Sequence, residues 1–285
     1  MLSCLPTWGP GHLRFRDNDP NAAGTEREVI FLQAGDIFYK NLGEQCVELG
    51  VGVDLFVMSS AYVDIATIGT LSCMTGGDTF LYSNFIAARD GSRLAGDFTR
   101  VMTRETGYQA IMKVRCSNGL HAVDYDGNFF QKNPTEVEFG SIDADKGVIV
   151  KFKHEGKLDR KMDVLFQSAL LYTSAAGERR VRVQNLSARP TGDIVEVFRC
   201  ADEDAVVATI AKEASFKMLT KTSREVREGI GDKCIRILGA YRRISGGVPH
   251  GQLVLPDKLR LLPLYTLSLL KTRGFRGIFI PQRSD

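Results

Sequence analysis

The segment VLFQSALLYTS at residues 164–174 and the segment GERRVRV at residues 177–183 decide the fold of this 285-residue chain. The first segment has apolar residues on both faces of a strand from Val164 to Thr173, which is typical of a central strand. The second alternates arginine with valine, which is the two-residue period of a half-exposed strand. Together they predict two strands, the first of them central in its sheet.

The neighbouring sequence extends this strand pattern over residues 104–188. Residues 108–116 and 148–153 also alternate apolar with polar side chains. The pair Asn118-Gly119 predicts a hairpin turn, because both residues tolerate positive φ, and Asp126-Gly127 indicates another turn. Short alternating strands with frequent turns predict an antiparallel β-sandwich over residues 104–188.

Residues 1–103 alternate between helical and strand-like patterns. Apolar residues at helical spacing predict helices over residues 36–49, 60–75 and 92–106, the second stopping at Gly76-Gly77. Residues 51–58 and 79–82 predict strands. This alternation is typical of an α/β sheet, so we expect part of an α/β domain over residues 1–103.

Residues 189–285 are helical in pattern after a linker-like segment at 189–192. Helices are predicted over residues 201–219, 222–244 and 255–271. Asp202 and Ser223 are the predicted N-caps of the first two, and Pro263 predicts a kink or restart in the third. The expected fold class is therefore multidomain α+β, with an α/β part, an antiparallel sandwich and an all-α domain.

The bulk composition excludes some classes of function. The hydrophobic fraction of 44% supports a real core, and a net charge of +3 is too small to predict nucleic-acid binding. The six cysteines form no Cys-x-x-Cys pair, so we expect reduced thiols in the cytoplasm and no metal site in this chain. The longest apolar stretch, residues 259–270, contains Arg260 and Pro263 and is too short to span a bilayer.

No catalytic motif stands out. The sequence has neither a phosphate-binding Gly-x4-Gly-Lys-Ser/Thr loop nor a Gly-x-Ser-x-Gly elbow, and Gly50-Val-Gly52 indicates only a turn before a strand. The Asp-x-Ser-x-Ser metal motif of von Willebrand A domains is also missing. We therefore expect a binding protein, with a hydrolase and a metal-dependent adhesion domain as the alternatives.

Two arginines are the candidate binding residues. The strand period places Arg180 and Arg182 on one face, about 7 Å apart, and Val181 and Val183 on the other. Two guanidinium groups at that spacing can hold carboxylates through paired hydrogen bonds. The alternative is an ordinary solvated strand face, or ion pairs within the chain to acids such as Asp143 or Glu155.

Several ordered blocks of sequence resemble the COPII inner-coat family, in particular its cargo-selecting Sec-twenty-four branch. The likeness runs nearly end to end. The blocks are LPTWGPG (5–11), DIFYK (36–40), VDLF (53–56), MTRETGY (102–108), MKVRC (112–116), GNFF (127–130), FQSALLYTS (166–174), GERRVRV (177–183), LRLLPL (259–264) and LLK (269–271).

The resemblance implies a coat component rather than an enzyme. It implies the second half of a von Willebrand A-like trunk over residues 1–103, a sandwich over 104–188 and an incomplete helical domain over 189–285. It further implies that Arg180 and Arg182 contribute to a pocket for acidic export signals. The alternative within the family is the paralogous Sec-twenty-three subunit, which stimulates a Sar-type GTPase.

The resemblance also implies partners and a location. We expect a Sec-twenty-three-type subunit, a Sar-type small GTPase on the membrane, the cytosolic tails of cargo proteins and, indirectly, the outer coat, but no nucleic acid. The expected location is the cytoplasm, peripheral to the endoplasmic reticulum membrane and COPII vesicles. In the family a zinc finger lies upstream, and we expect no cofactor in this chain, which we take as a partial chain or a short form.

Overall fold

The computed structural model describes residues 1–16, 25, 27, 29–246, 249 and 251–276. The chain divides into two compact units, Met1–Asn18 with Gln33–Ala188, and Asp19–Leu32 with Arg189–Asp285. Helices and strands alternate at the start of the first unit, two antiparallel sheets follow, and the second unit contains helices. This architecture confirms the predicted multidomain α+β class.

The α/β part of the first unit is built on a short parallel strand pair. Strands β1 (Leu55–Val57) and β2 (Thr79–Leu81) pair in register, and helix α3 (Ile65–Thr75) connects them. A parallel pair requires such a crossover connection, since a tight turn can join only antiparallel strands. Helix α1 (Val29–Leu32) belongs to the second unit, and helix α2 (Phe38–Glu48) packs beside α3.

Helix α3 ends where it was predicted to end, but it begins later than predicted. Gly76 is the C-cap in the left-handed conformation, with φ of 82°, which suits a residue without Cβ. The helix begins after Asp64, whose carboxylate accepts a hydrogen bond from the Thr67 amide at 3.1 Å. Residues 60–64 are therefore not helical, contrary to the prediction.

The bounds predicted for helix α4, residues 92–106, are wrong, because the helix spans Ala87–Thr103. It begins five residues before the predicted Ser92 and ends at Thr103, and Thr106 is the first residue of strand β3. Gly91 and Gly96 lie inside the helix, and a Cβ added at either would meet nothing within 4 Å. Glycine is tolerated in a helix interior at a modest cost, so Gly91 did not mark the helix start.

The sandwich contains a five-stranded antiparallel sheet and a two-stranded one. The larger sheet has the order β5–β6–β3–β8–β9, and the smaller pairs β4 with β7. The strands are β3 (Thr106–Cys116), β4 (Leu120–Asp126), β5 (Phe130–Asn133), β6 (Glu136–Asp143), β7 (Ile149–His154), β8 (Val164–Ser174) and β9 (Arg179–Ala188). The core between them centres on Ala110, Tyr125, Val137 and Phe139.

One predicted hairpin is wrong. Gly119 adopts a φ of 86° in a turn, as expected, but β3 and β4 on either side of it do not pair with each other. Strand β3 pairs with β6 and β8, whereas β4 pairs with β7. The turn therefore carries the chain from one layer of the sandwich to the other. The interior position of β8 between β3 and β9 agrees with its predicted central place.

The α/β part and the sandwich meet through closely packed backbone. A Cβ added at Gly140 in β6 would lie 2.1 Å from the Val51 carbonyl oxygen, and one at Gly76 would lie 2.2 Å from the Ser141 carbonyl oxygen. Real Cβ atoms do not approach oxygen so closely, because van der Waals repulsion rises steeply at that distance. Glycine is thus required on both sides of this junction.

The helical unit has its own core. Besides α1, its elements are α5 (Ile194–Arg199), α6 (Glu203–Lys217), α7 (Ser223–Ile244), a 3-10 turn (Asp257–Leu259) and α8 (Leu262–Lys271). The buried side chains are Ile210, Ala214, Val226, Ile230, Cys234, Leu259, Leu262 and Phe275. In the described part of the chain, no helix combines the length and the apolar character needed to cross a membrane.

The helix caps in this unit agree with the sequence at one of two positions. Asp202 caps α6, as predicted, by accepting from the Ala205 amide at 3.0 Å. The cap of α7 is Thr222, not Ser223, and it forms a reciprocal capping box with Glu225. Pro263 lies in the first turn of α8, where its missing amide costs nothing, so the third helix restarts there.

Candidate functional site

The two predicted arginines lie on β9, the edge strand of the larger sheet. All ten residues of β9 are exposed. Arg180 pairs with Tyr172 of β8, and Arg182 pairs with Leu170. Residues directly opposite each other on neighbouring strands point to the same face, so both guanidiniums share the face of Tyr172 and Leu170. The predicted alternation along this strand is therefore confirmed.

This face looks into an apolar groove between the two sheets. The groove has a volume of about 1020 Å³, and Arg182 is part of its lining. The aromatic and aliphatic side chains that line it come from both layers, namely Met112, Val150, Phe152, Phe166, Leu170 and Tyr172. Concave apolar surfaces with a few polar groups are the usual form of a binding site.

Arg180 belongs to a second, smaller cavity beside the first. This cavity has a volume of about 590 Å³ and reaches from Arg180 to Arg104 and Asp54 at the junction with the α/β part. Both cavities share Glu105, Thr106, Asp143 and Tyr172 in their linings. The two arginines therefore line adjoining cavities: Arg182 lines the largely apolar one and Arg180 the polar one.

The inner end of the polar cavity is an ion network. The Arg104 guanidinium lies 3.0 Å from Asp143 and 2.9 Å from Asp78, and Lys146 Nζ lies 2.5 Å from Asp78. The side chains of Arg104 and Asp143 are only 7% and 3% exposed. Burial acts to raise the pKa of Asp78, but hydrogen bonds from Lys146 and Arg104 lower it below its usual value. These cations are fully engaged within the protein.

Arg180 and Arg182 differ from this network and from each other. Arg180 Nε donates to Glu178 Oε2 at 3.0 Å, and its Nη2 donates to the same oxygen. The side chains of the pair are 49% and 62% exposed. Arg182 has no ion-pair partner within the ranges that the structure describes. At least one guanidinium on this face is therefore available to an anionic ligand.

The alternative of ion pairs within the chain applies to Arg180, but its partner is Glu178 and not Asp143 or Glu155. Asp143 pairs with Arg104 and Lys146, and the Glu155 carboxylate lies 3.9 Å from His121. The true partner, Glu178, stands two residues before Arg180 in the segment that decides the fold. The strand period would have placed Glu178 on the face of the arginines, so the signal was present in the sequence.

The groove residues were not identifiable as a set from the sequence. Phe152 comes from β7 and Phe166 from β8, and their ring centroids lie 4.8 Å apart across the two layers. Their proximity depends on how the sheets stack, which a local pattern does not encode. Among the described residues, no three His, Cys, Asp or Glu side chains form a cluster that could hold a metal ion.

Three family models match successive parts of the chain. Residues 1–102 match the Sec23/Sec24 trunk domain, residues 107–191 the Sec23/Sec24 beta-sandwich domain and residues 202–285 the Sec23/Sec24 helical domain. These three matches follow one another in the order of the α/β part, the sandwich and the helical unit.

Known proteins resemble the chain over nearly its whole length. Protein transport protein SEC24 B of Arabidopsis thaliana is 41% identical over 278 residues, which are 96% of this chain and 25% of that protein. Protein transport protein Sec24C of Homo sapiens is 36% identical over 264 residues, which are 92% of this chain and 24% of that protein. The chain spans about a quarter of the length of these curated relatives.

A solved structure shows the same fold. The crystal structure of the human COPII-coat protein Sec24c superposes on the chain with a TM-score of 0.87 and 36% sequence identity. The match covers 95% of this chain and 35% of that one.

Proposed function

The chain belongs to the Sec24 branch of the Sec23/Sec24 family, and we propose that it serves as a COPII coat component that binds the export signals of cargo proteins. The observation that carries the cargo-binding part is the pair Arg180 and Arg182 on one exposed strand face above an apolar groove. The proposal includes three domains, with boundaries between residues 103 and 104 and between residues 188 and 189.

The chemistry of this face fits an acidic peptide that also carries an apolar side chain. A guanidinium presents paired donors that match the two oxygens of a carboxylate. The adjoining groove offers Phe152, Phe166 and Leu170 for an apolar side chain of the same peptide. An extended peptide spans about 7 Å in two residues, which is also the spacing of Arg180 and Arg182 along β9.

The remaining parts of the proposal concern partners and place. The chain would act at the cytosolic face of the endoplasmic reticulum without catalysing a reaction. It would work beside a Sec-twenty-three-type subunit, a Sar-type GTPase, cargo tails and, indirectly, the outer coat, and it would need no cofactor. The Sec24 names of the relatives favour this role over stimulation of the GTPase, which was the alternative.

A peptide-binding experiment tests the site. The affinity of a fluorescein-labelled peptide with two glutamates and one leucine is measured by fluorescence anisotropy at low and moderate salt. We expect Arg182→Ala to weaken binding about fivefold and Arg180→Ala/Arg182→Ala to weaken it about tenfold or more, because exposed charge pairs contribute modestly one at a time.

Arg115→Ala is the matched control, because Arg115 is also exposed on the larger sheet but pairs with Gln167 and points to the opposite face. It removes the same charge as Arg182→Ala. Equal weakening by both variants would show a general charge effect and refute the assignment to this face. Circular dichroism of each variant checks that the fold is retained.

A further inference from the structure

The ion pair at the end of β9 places a carboxylate of the protein where a ligand carboxylate would bind. Arg180 donates to the Glu178 carboxylate from both Nε and Nη2. This is one of the two edges from which a guanidinium donates a pair of parallel hydrogen bonds to an acid. We infer that Glu178 is an internal competitor for acidic ligands at Arg180 and thereby sets the affinity of the site. The inference rests on the proposed function of this face.

The hairpin turn fixes the position of Glu178. The Ser174 amide donates to the Glu178 carbonyl oxygen at 2.8 Å, and the Gly177 amide donates to the Ser174 carbonyl oxygen at 2.9 Å. Gly177 has a φ of 82°, which allows the tight turn. On the other side of Glu178, Arg179 is tied to the sheet through Gln109 and Thr173. The backbone therefore keeps Glu178 beside Arg180.

Competition from Glu178 is effective because it lies only two residues from Arg180 in the same chain. A tethered carboxylate acts at a high effective concentration compared with a peptide in solution. The Glu178 carboxylate also raises the pKa of the Arg180 guanidinium, which is a sign of direct contact between the charges. A peptide acid must break this contact before it can use the same edge of Arg180.

The competitor lowers affinity without closing the site. Both side chains are about half exposed, so water already competes for the pair and its net strength is small. Arg182 has no such partner in the described part of the chain. We therefore expect an acidic ligand to engage Arg182 at full strength and Arg180 only after Glu178 has moved away.

A double-mutant cycle on the full chain tests the competition. The same fluorescein-labelled acidic peptide is titrated against the wild type, Glu178→Gln, Arg180→Ala and Glu178→Gln/Arg180→Ala. We expect Glu178→Gln to tighten binding about two- to fivefold, the range expected when an exposed ion pair no longer has to be broken. In the Arg180→Ala background the same change should have no effect, because there is no longer an arginine to release.

Glu155→Gln is the control for net charge, since Glu155 is an exposed acid on the sandwich that lies near His121. If Glu155→Gln tightens binding as much as Glu178→Gln, the gain is a general charge effect and the competition is refuted. If Glu178→Gln has no effect while Arg182→Ala still weakens binding, the competition is refuted and the proposed function stands. If the peptide binds Glu178→Gln but not the wild type, both are supported. If neither protein binds it, both are overturned, because Glu178→Gln leaves both guanidiniums free.

Discussion

The cations at the junction between the α/β part and the sandwich are buried and paired, whereas those on the β9 edge are exposed. At the junction, Arg104 and Lys146 have side chains that are 7% and 9% exposed, and Asp78 and Asp143 neutralise them. On β9, Arg180 is half exposed with a single acid beside it. Because a buried charge must be paired to be tolerated, the junction cations are committed to the fold. The β9 cations keep donors for a ligand.

The largest expected effect in this comparison comes from the backbone of the junction. In Gly140→Ala the new Cβ would be forced to within 2.1 Å of the Val51 carbonyl oxygen and 2.6 Å of its carbonyl carbon. Neither atom can turn away, because both belong to the main chain. We expect a loss of about 3 kcal/mol in the free energy of unfolding, measured by urea denaturation of the full chain.

Gly147→Ala is the matched control. Gly147 lies in the connection between β6 and β7, and a Cβ there would meet nothing within 4 Å. Its substitution should change stability by less than about 1 kcal/mol. A similar loss in both variants would mean that the close approach at Gly140 does not hold the junction together.

The ion network of the junction should show a smaller but clear effect. Arg104→Met keeps most of the apolar stem but leaves the buried Asp143 carboxylate with the Asp145 amide, which donates to it at 2.9 Å, and with Lys146, whose Nζ lies 3.6 Å away. Removing one partner of a buried pair is costly because the other charge stays desolvated. We expect a loss of about 2 kcal/mol in the free energy of unfolding by urea denaturation.

Arg100→Met serves as the control for this change. Arg100 lies in the last turn of α4, four residues before Arg104, and pairs with Asp145, but its side chain is 65% exposed. An exposed pair contributes little, so its loss should not change the unfolding midpoint measurably. Equal losses for Arg104→Met and Arg100→Met would remove the distinction between buried and exposed pairs.

The sequence predicted those features that depend on neighbours along the chain. The alternation of residues 179–184 placed both arginines on one face, and Gly76 and Asp202 were identified as helix ends from their own chemistry. The helix cap at Thr222 was missed by one residue because Ser223 has the same capping chemistry. Such local signals carry most of the secondary structure.

The features that were missed depend on distant parts of the chain. The turn at Gly119 looks like a hairpin, yet its strands lie in different sheets, because β3 finds better partners in β6 and β8. The groove and the network around Arg104 combine side chains from the α/β part and both layers of the sandwich. Only the stacking of these parts brings them together.

A third cluster, in the helical unit, extends the comparison to carboxylates. Glu213 of α6 lies 2.5 Å from Lys217 and also contacts Lys233 of α7, and its side chain is 19% exposed. Burial acts to raise its pKa, but the two lysines together lower it to about 2 from the usual 4.5. Glu213 is therefore placed like the junction acids, whereas Glu178 is placed at the surface.

This difference predicts a pH-dependent contribution from Glu213. Because its folded pKa is lowered, the stabilisation is fully present above pH 4.5 and is lost as the pH falls from 4.5 towards 2. Since Lys217 is 44% exposed and solvent screens the pair, we expect Glu213→Gln to cost about 1 kcal/mol at pH 7. At pH 3 the variant and the wild type should differ less.

Urea denaturation followed by circular dichroism at both pH values measures this change, with Glu178→Gln as the matched substitution. Glu178 pairs with Arg180 where both side chains are about half exposed, so its loss should leave stability unchanged at pH 7. If Glu178→Gln destabilised the chain as much as Glu213→Gln, Glu178 would be a structural residue. It could then not yield Arg180 to a ligand at little cost, and the contrast between committed and available cations would not hold.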